Sequence, residues 1–219
     1  MKIYSIPEKV RVLIFDVDST LYTNPEYANE QIDGQIRHFA QIRKISADEA
    51  RRLFSDFRKN WAQTHSGQKI SLGNLLTHFG ISIEESILWR KKLINPAEFL
   101  KPDERLFKTL SDLKEKFYLI CVTNNPVLTA RKTLEALGIS GLIPEIIGLD
   151  TTLKSKPARE IFELAAKTAG TALNTKIKFE ECISIGDRYD IDLDLPLKLG
   201  MGAILVDGVK DIYLLPEVL

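Results

Sequence analysis

Five short stretches of this chain are predominantly apolar or β-branched: 10–15, 118–122, 145–149, 182–185 and 203–206. They constrain the fold more than any other feature. A strand with one wet face alternates apolar and polar residues, whereas an unbroken apolar run is expected where both faces of a parallel sheet are covered by helices. The intervening segments change to helical spacing. Residues 103–116 place Leu106, Leu110 and Leu113 on one face, and residues 127–137 do the same with Val127, Ala130, Leu134 and Leu137. The reading is an α/β chain whose strand–helix–strand rhythm begins near residue 101.

The segment between the first run and that rhythm has no strand-like stretch. Ala50, Leu53, Phe54, Phe57 and Trp61 follow helical spacing, as do Leu72, Leu75, Leu76 and Phe79, with Gly67, Gly80, Asn95 and Pro96 as punctuation. A first strand isolated from later ones could not satisfy its backbone. Residues 1–22 and 100–219 are therefore expected to form one core, interrupted by an all-helical insert over 23–99.

The 219 residues carry 30 basic and 30 acidic side chains, which excludes a polybasic grip on a nucleic-acid polymer. No apolar run approaches a membrane span, and no secretory h-region is present, so a cytoplasmic location with no membrane partner is expected. Cys121 and Cys182 lie inside apolar runs and are expected as reduced, buried side chains. Ile3, Tyr4 and Ile6 near one end, and Ile212, Tyr213, Leu214 and Leu215 near the other, are expected to pack onto the core.

Chemistry-bearing residues follow the apolar runs. The first run ends FDVDSTLY, placing Asp16 and Asp18 beyond a strand's carboxyl end, where open parallel sheets bind ligands. Two carboxylates this close repel unless they share a proton or a cation, and Mg²⁺ suits an oxygen donor set. The fourth run leads into IGDRYDID, with Gly186 allowing close backbone approach and Asp187 as a third carboxylate. The second run ends in Thr123, Asn124, Asn125 and Pro126, a place for an anion at a helix start. After the third, Pro157 reads as a first helical residue, with Lys156 at the helix mouth. Each has an ordinary reading when taken singly: a solvated loop, a turn, a helix cap, a surface charge.

Taken together, FDVDSTLY, VTNN, KSKPAREIF and IGDRYDID resemble, in order, the four signature segments of the haloacid dehalogenase-like superfamily of hydrolases. The resemblance implies a Rossmann-like core with a helical cap inserted after the first strand. It implies that Asp16 is a nucleophile forming an aspartyl-phosphate and that Asp18 is the acid and base. Mg²⁺ would be held by the Asp16 carboxylate, the Asp18 carbonyl and Asp187, with Asp192 in support and Asp190 as its alternative. Thr123 and the Asn124 amide would hold phosphoryl oxygens, and Lys156 would offset their charge. Arg188 reads as a rim charge.

An aspartate at position 18 disfavours carbon–halogen cleavage, which has no poor alkoxide to protonate. The expected activity is a Mg²⁺-dependent phosphomonoesterase acting on a small phosphorylated metabolite. Leu21-Tyr22 is similar to the pyrimidine 5′-nucleotidase-like branch, which suggests a nucleoside monophosphate. A phosphoglycolate or sugar-phosphate phosphatase, or a phosphomutase, shares the same four segments. A receiver-like phosphoacceptor module is disfavoured by the insert and by Asp18. The cap should choose the substrate. All three histidines, His38, His65 and His78, fall in it, and within the polar stretch 63–69 the residues His65, Gln68 and Lys69 are the candidates for specificity.

Overall fold

The computed structural model describes every residue except Ser66, Gln68 and Lys69, so the specificity assignments to Gln68 and Lys69 lie outside the described residues. The described chain divides into two compact units, residues 1–24 with 96–219, and residues 25–95.

The first unit is built on a six-stranded sheet: β1 (Lys2–Ser5), β2 (Val12–Phe15), β3 (Tyr118–Val122), β4 (Glu145–Ile147), β5 (Cys182–Gly186) and β6 (Gly202–Leu205). Their spatial order is β1-β6-β5-β2-β3-β4. All neighbours are parallel except β1, which runs antiparallel to β6. All four residues of β2 are at most 1% exposed, as an unbroken apolar run in a central strand requires.

On one sheet face Val12, Ile14, Ile120, Val122 and Ile147 pack against Ile161, Phe162, Ala165 and Ala169 of α8 (Arg159–Ala172). The alanines let that helix approach closely, and each large side chain sealed there contributes about 1.5–3 kcal/mol relative to exposure. Helix α5 (Glu104–Lys114) buries Leu106, Leu110 and Leu113, the positions its spacing predicts, beneath an Asp103 N-cap that accepts from the Leu106 N–H at 2.9 Å.

Three expectations about the sheet-bearing unit are corrected. Residues 2–5 form an exposed edge strand: Ile3, Tyr4 and Ile6 are 42%, 37% and 41% exposed, because an outermost strand has only one neighbour to cover it. Ile212 and Leu215, by contrast, are fully buried. The run at 145–149 is strand only to Ile147. At Gly148 a Cβ would lie 2.6 Å from the Val127 nitrogen, and the chain turns there into the short helix α7 (Leu149–Thr152). Pro157 does not open a helix, since α8 starts at Arg159 after an Ala158 N-cap, and the Lys156–Pro157 peptide is cis.

Among its described residues the second unit has helices as its regular elements, joined by turns: α1 (Pro25–Arg43), α2 (Ala47–Thr64), α3 (Leu72–His78) and α4 (Ile83–Leu93). Serines 46, 71 and 82 cap the last three, and Ser46 forms a capping box with Glu49. Ile36, Phe39, Ala50, Phe54, Leu75, Leu76, Ile81 and Trp89 make its core. Leu53, expected on the inner face of α2, is 41% exposed, one position off the Ala50–Phe54 stripe. Among the described residues, no helix is long and apolar enough to cross a membrane.

Candidate active site

Strand register decides which loops meet. Phe15 pairs with Cys121 of β3 on one side and with Ile185 of β5 on the other, and Val122 pairs with Ile147 of β4. Four strands therefore end at nearly one level, and the residues that follow them converge at the carboxyl edge.

Asp16, the first residue beyond β2, is 3% exposed. Its Oδ1 accepts from the Lys156 ammonium at 2.6 Å, and its Oδ2 faces the Thr20 hydroxyl at 3.4 Å. Lys156, 4% exposed, also pairs with Asp192 Oδ1 at 2.6 Å. Its main chain is held by the Asn124 side chain, which accepts from the Lys156 N–H at 2.6 Å and donates to its carbonyl at 3.3 Å. The Asn124 side chain thus serves as a clamp on the lysine loop.

Asp187 and Asp192 follow β5 through a π-helical turn, Tyr189–Leu193. This wider turn brings the fifth residue after Asp187 back over the strand end. The alternative, Asp190, is exposed, whereas Asp192 is 1% exposed. Asp192 is locked from both ends: its carbonyl accepts from Ser184 Oγ at 2.7 Å, and its Oδ2 accepts from the Arg188 N–H at 3.1 Å. Gly186 is what permits this, because a Cβ there would lie 2.5 Å from the Asp192 Cβ. Arg188 keeps its side chain 48% exposed, with Nε 3.7 Å from Asp187 Oδ1.

The electrostatics are unbalanced. Burial pushes the Asp16 carboxyl up to about 7, against the pull of Lys156, and Asp192 and Asp18 push it further in the same direction. Burial also raises Asp187. For Lys156, burial acts against the charge, but Asp16 and Asp192 outweigh it and hold the ammonium above its ordinary value. Oxygens of Asp16, Asp187 and Asp192 lie within 4.8 Å of one another, and Asp187 Oδ1 is buried without a hydrogen-bond partner. An all-oxygen cluster with excess negative charge and an orphaned acceptor fits a divalent cation such as Mg²⁺.

Asp18 stands apart from that cluster. Its Oδ1 accepts from the Tyr22 phenol at 2.7 Å, and its Oδ2 accepts from Asn125 Nδ2 at 2.7 Å and from the Thr123 hydroxyl at 3.4 Å. Thr123 in turn accepts from the Asn125 N–H at 3.1 Å. From sequence, Asn125 reads only as part of the polar segment after the second run and Tyr22 only as part of Leu21-Tyr22; neither is linked there to Asp18. Their signal was limited to lying in the motif segments, since only the fold shows which carboxylate they reach. The structure thus brings together Asp16, Lys156, Asp187 and Asp192, and beside them Asp18, Thr123 and Asn124. His65 belongs to the helical unit, where it is exposed and its ring stacks on Trp61 at 3.6 Å between centroids.

A profile of haloacid dehalogenase-like hydrolases matches residues 10–195. A glyceraldehyde 3-phosphate phosphatase of Methanopyrus kandleri is 26% identical over 204 residues, covering 90% of this chain and 84% of the relative. Among solved structures, a HAD phosphatase from Thermococcus onnurineus superposes with a TM-score of 0.58 at 21% identity, covering 90% of this chain and 86% of that one. The HAD-hydrolase YfnB from Bacillus subtilis, crystallised bound to magnesium, gives 0.60 at 16% identity, covering 96% and 100%. With the family profile spanning all four strand-end segments that meet at the carboxyl edge of the sheet, the chain belongs to the haloacid dehalogenase-like hydrolases.

Proposed function

We propose that this chain is a Mg²⁺-dependent phosphomonoesterase that works through an aspartyl-phosphate on Asp16. The observation that carries the reading is the burial of Asp16 between Lys156 and the Asp187–Asp192 pair, with a second carboxylate, Asp18, held separately beside it.

Lys156 holds Asp16 Oδ1 at 2.6 Å, and Oδ2, with only the longer 3.4 Å contact from the Thr20 hydroxyl, is the oxygen we assign to attack phosphorus. As the new Asp16–phosphorus bond forms, the ester oxygen departs and takes a proton from Asp18. Asp18, now ionised, removes a proton from water. The resulting hydroxide attacks the phosphorus, and Asp16 leaves as a carboxylate. The net change is a phosphate ester and water giving an alcohol and inorganic phosphate. Asp16 and Asp187, with the Asp18 carbonyl and Asp192 in support, would hold Mg²⁺, which when bound draws the anionic substrate onto the anionic nucleophile. Lys156 and Thr123 offset charge on the equatorial oxygens, which grows in the transition state.

The substrate we assign is a small sugar phosphate of the triose class. It is favoured over a nucleoside monophosphate by the relative named for glyceraldehyde 3-phosphate, whose match spans 90% of this chain. Selection among such esters is the role we assign to the helical unit, with His65 as a contributor. The test is phosphate release with Mg²⁺ across triose phosphates, phosphoglycolate, hexose phosphates and nucleoside monophosphates, with Asp16→Asn as the blank. Triose phosphates should show the highest kcat/KM, and Asp16→Asn should lose at least about 10⁴-fold in kcat. Turnover by purified Asp16→Asn at the wild-type rate would overturn the mechanism, and a preference for nucleoside monophosphates would overturn the substrate class.

A further inference from the structure

We infer that Tyr22 and Asn125 are positioning residues that fix which oxygen of Asp18 carries the transferred proton, Oδ1. The inference rests on the acid–base role given to Asp18 above. It adds two residues to that role and divides the work between them.

Both oxygens of Asp18 have a short contact at 2.7 Å, but the donors differ in kind. The Asn125 amide nitrogen can only donate. An oxygen receiving that N–H has no use for a proton of its own in the same direction, and the Thr123 hydroxyl points at the same oxygen from 3.4 Å. Oδ2 is thereby kept as an acceptor. The Tyr22 hydroxyl both donates and accepts. It donates to Oδ1 when Asp18 is ionised, and it accepts from Oδ1 when Asp18 is protonated. The Oδ1 proton therefore has a partner in each state of the two-step reaction; when the ester oxygen departs, the Oδ1–H bond turns from the Tyr22 oxygen to that oxygen and breaks as the new O–H bond forms, while Asn125 keeps the carboxyl group itself from rotating.

The surroundings hold this arrangement in place. Tyr22 is 3% exposed, and the Val17 carbonyl accepts the N–H of Leu21 at 3.0 Å, which closes the turn that carries the tyrosine back over Asp18. The Asn125 main chain is fixed at both ends: its N–H donates to Thr123 Oγ1 at 3.1 Å, and its carbonyl accepts from the Leu149 N–H at 2.9 Å. A side chain anchored in this way acts on the orientation of Asp18. Asp16 itself is engaged by other side chains, Lys156 at Oδ1 and Thr20 at Oδ2.

The signature of such a role is dependence on the leaving group. A misaimed Asp18 slows the departure of an alkoxide, which needs the proton, while nitrophenolate leaves without one. The experiment compares the wild type, Tyr22→Phe and Asn125→Ala by rapid quench, with glycerol phosphate and 4-nitrophenyl phosphate as substrates. Each variant should lose about 10–100-fold in the rate of alcohol release from glycerol phosphate with KM changed less than about threefold, and should keep a burst of nitrophenol near the wild-type rate. Melting curves confirm folding, and the retained burst shows an intact nucleophile in the same sample. Equal losses with both esters, or wild-type alcohol release from both variants, would overturn the inference. A wild-type protein that cleaves neither ester would overturn the phosphatase reading instead.

Discussion

At the residue scale, Asp16 shows how burial sets a carboxylate's behaviour. In the unfolded chain it releases its proton near the ordinary value of 3.8, whereas in the fold burial holds the proton up to about 7. Between those values the folded, metal-free protein binds a proton that the unfolded chain has lost, so stability falls as pH rises through that window and levels off above it. The raised Asp187 acts in the same sense. Thermal melts in chelator should show this decline, on the order of a few kcal/mol. Asp16→Asn should flatten it, and Mg²⁺ should raise the melting temperature more at pH 8 than at pH 5. A wild-type profile level from pH 4 to pH 7 would contradict the burial argument. Asp16, Asp18 and Asp187 could be named from sequence because each follows an apolar run. That Lys156 would bridge Asp16 and Asp192, rather than stand in solvent, depended on a loop clamped by Asn124 from a different strand.

At the element scale, helix α6 (Val127–Ala136) has Pro126 as its N-cap and so lacks a side-chain cap of its own. The missing acceptor comes from α7, where Asp150 Oδ1 takes the Val127 N–H at 2.8 Å. Asp150→Ala should therefore cost about 1 kcal/mol of stability, as loss of an ordinary N-cap does. It should also lower activity mildly, because α6 follows the Thr123–Asn125 loop. Chemical denaturation and kcat measured together check this, and an unchanged midpoint would remove Asp150 from the capping role. Elements were legible where periodicity and burial coincide, as in β3 and in α5. They were not legible where tertiary context overrode local pattern. Residues 2–5 became an edge strand because β6 offered an open neighbour, the run at 145–149 broke where Gly148 meets the backbone of Asn125 and Val127, and Pro157 preceded a helix without opening it.

At the scale of the whole molecule, the described chain leaves the sheet-bearing unit after Asn24 and re-enters it at Pro96, and the Asn24 amide donates to the Phe99 carbonyl at 2.8 Å. Exit and entry are therefore adjacent, and among the described residues every strand lies in the sheet-bearing unit. Replacing residues 25–95 by a short Gly-Ser linker should yield a protein that unfolds cooperatively and gains melting temperature with Mg²⁺. If the helical unit has the selecting role proposed for it, discrimination among phosphate esters should fall by about tenfold or more, the scale of a single lost substrate contact. Circular dichroism melts and the substrate series test both parts, and a linker variant that fails to fold would show that the helical unit is needed for the core. The amino-acid sequence by itself determined a covered parallel sheet, a helical insert and four acidic or polar segments at strand ends, because apolar periodicity and chain order are local properties of the sequence. Only the tertiary structure decided that Asp192 rather than Asp190 turns inward, that Lys156 is shared by two carboxylates, and that Tyr22 and Asn125 grip Asp18, because those contacts depend on strand register and on a π-helical turn that no local spacing encodes.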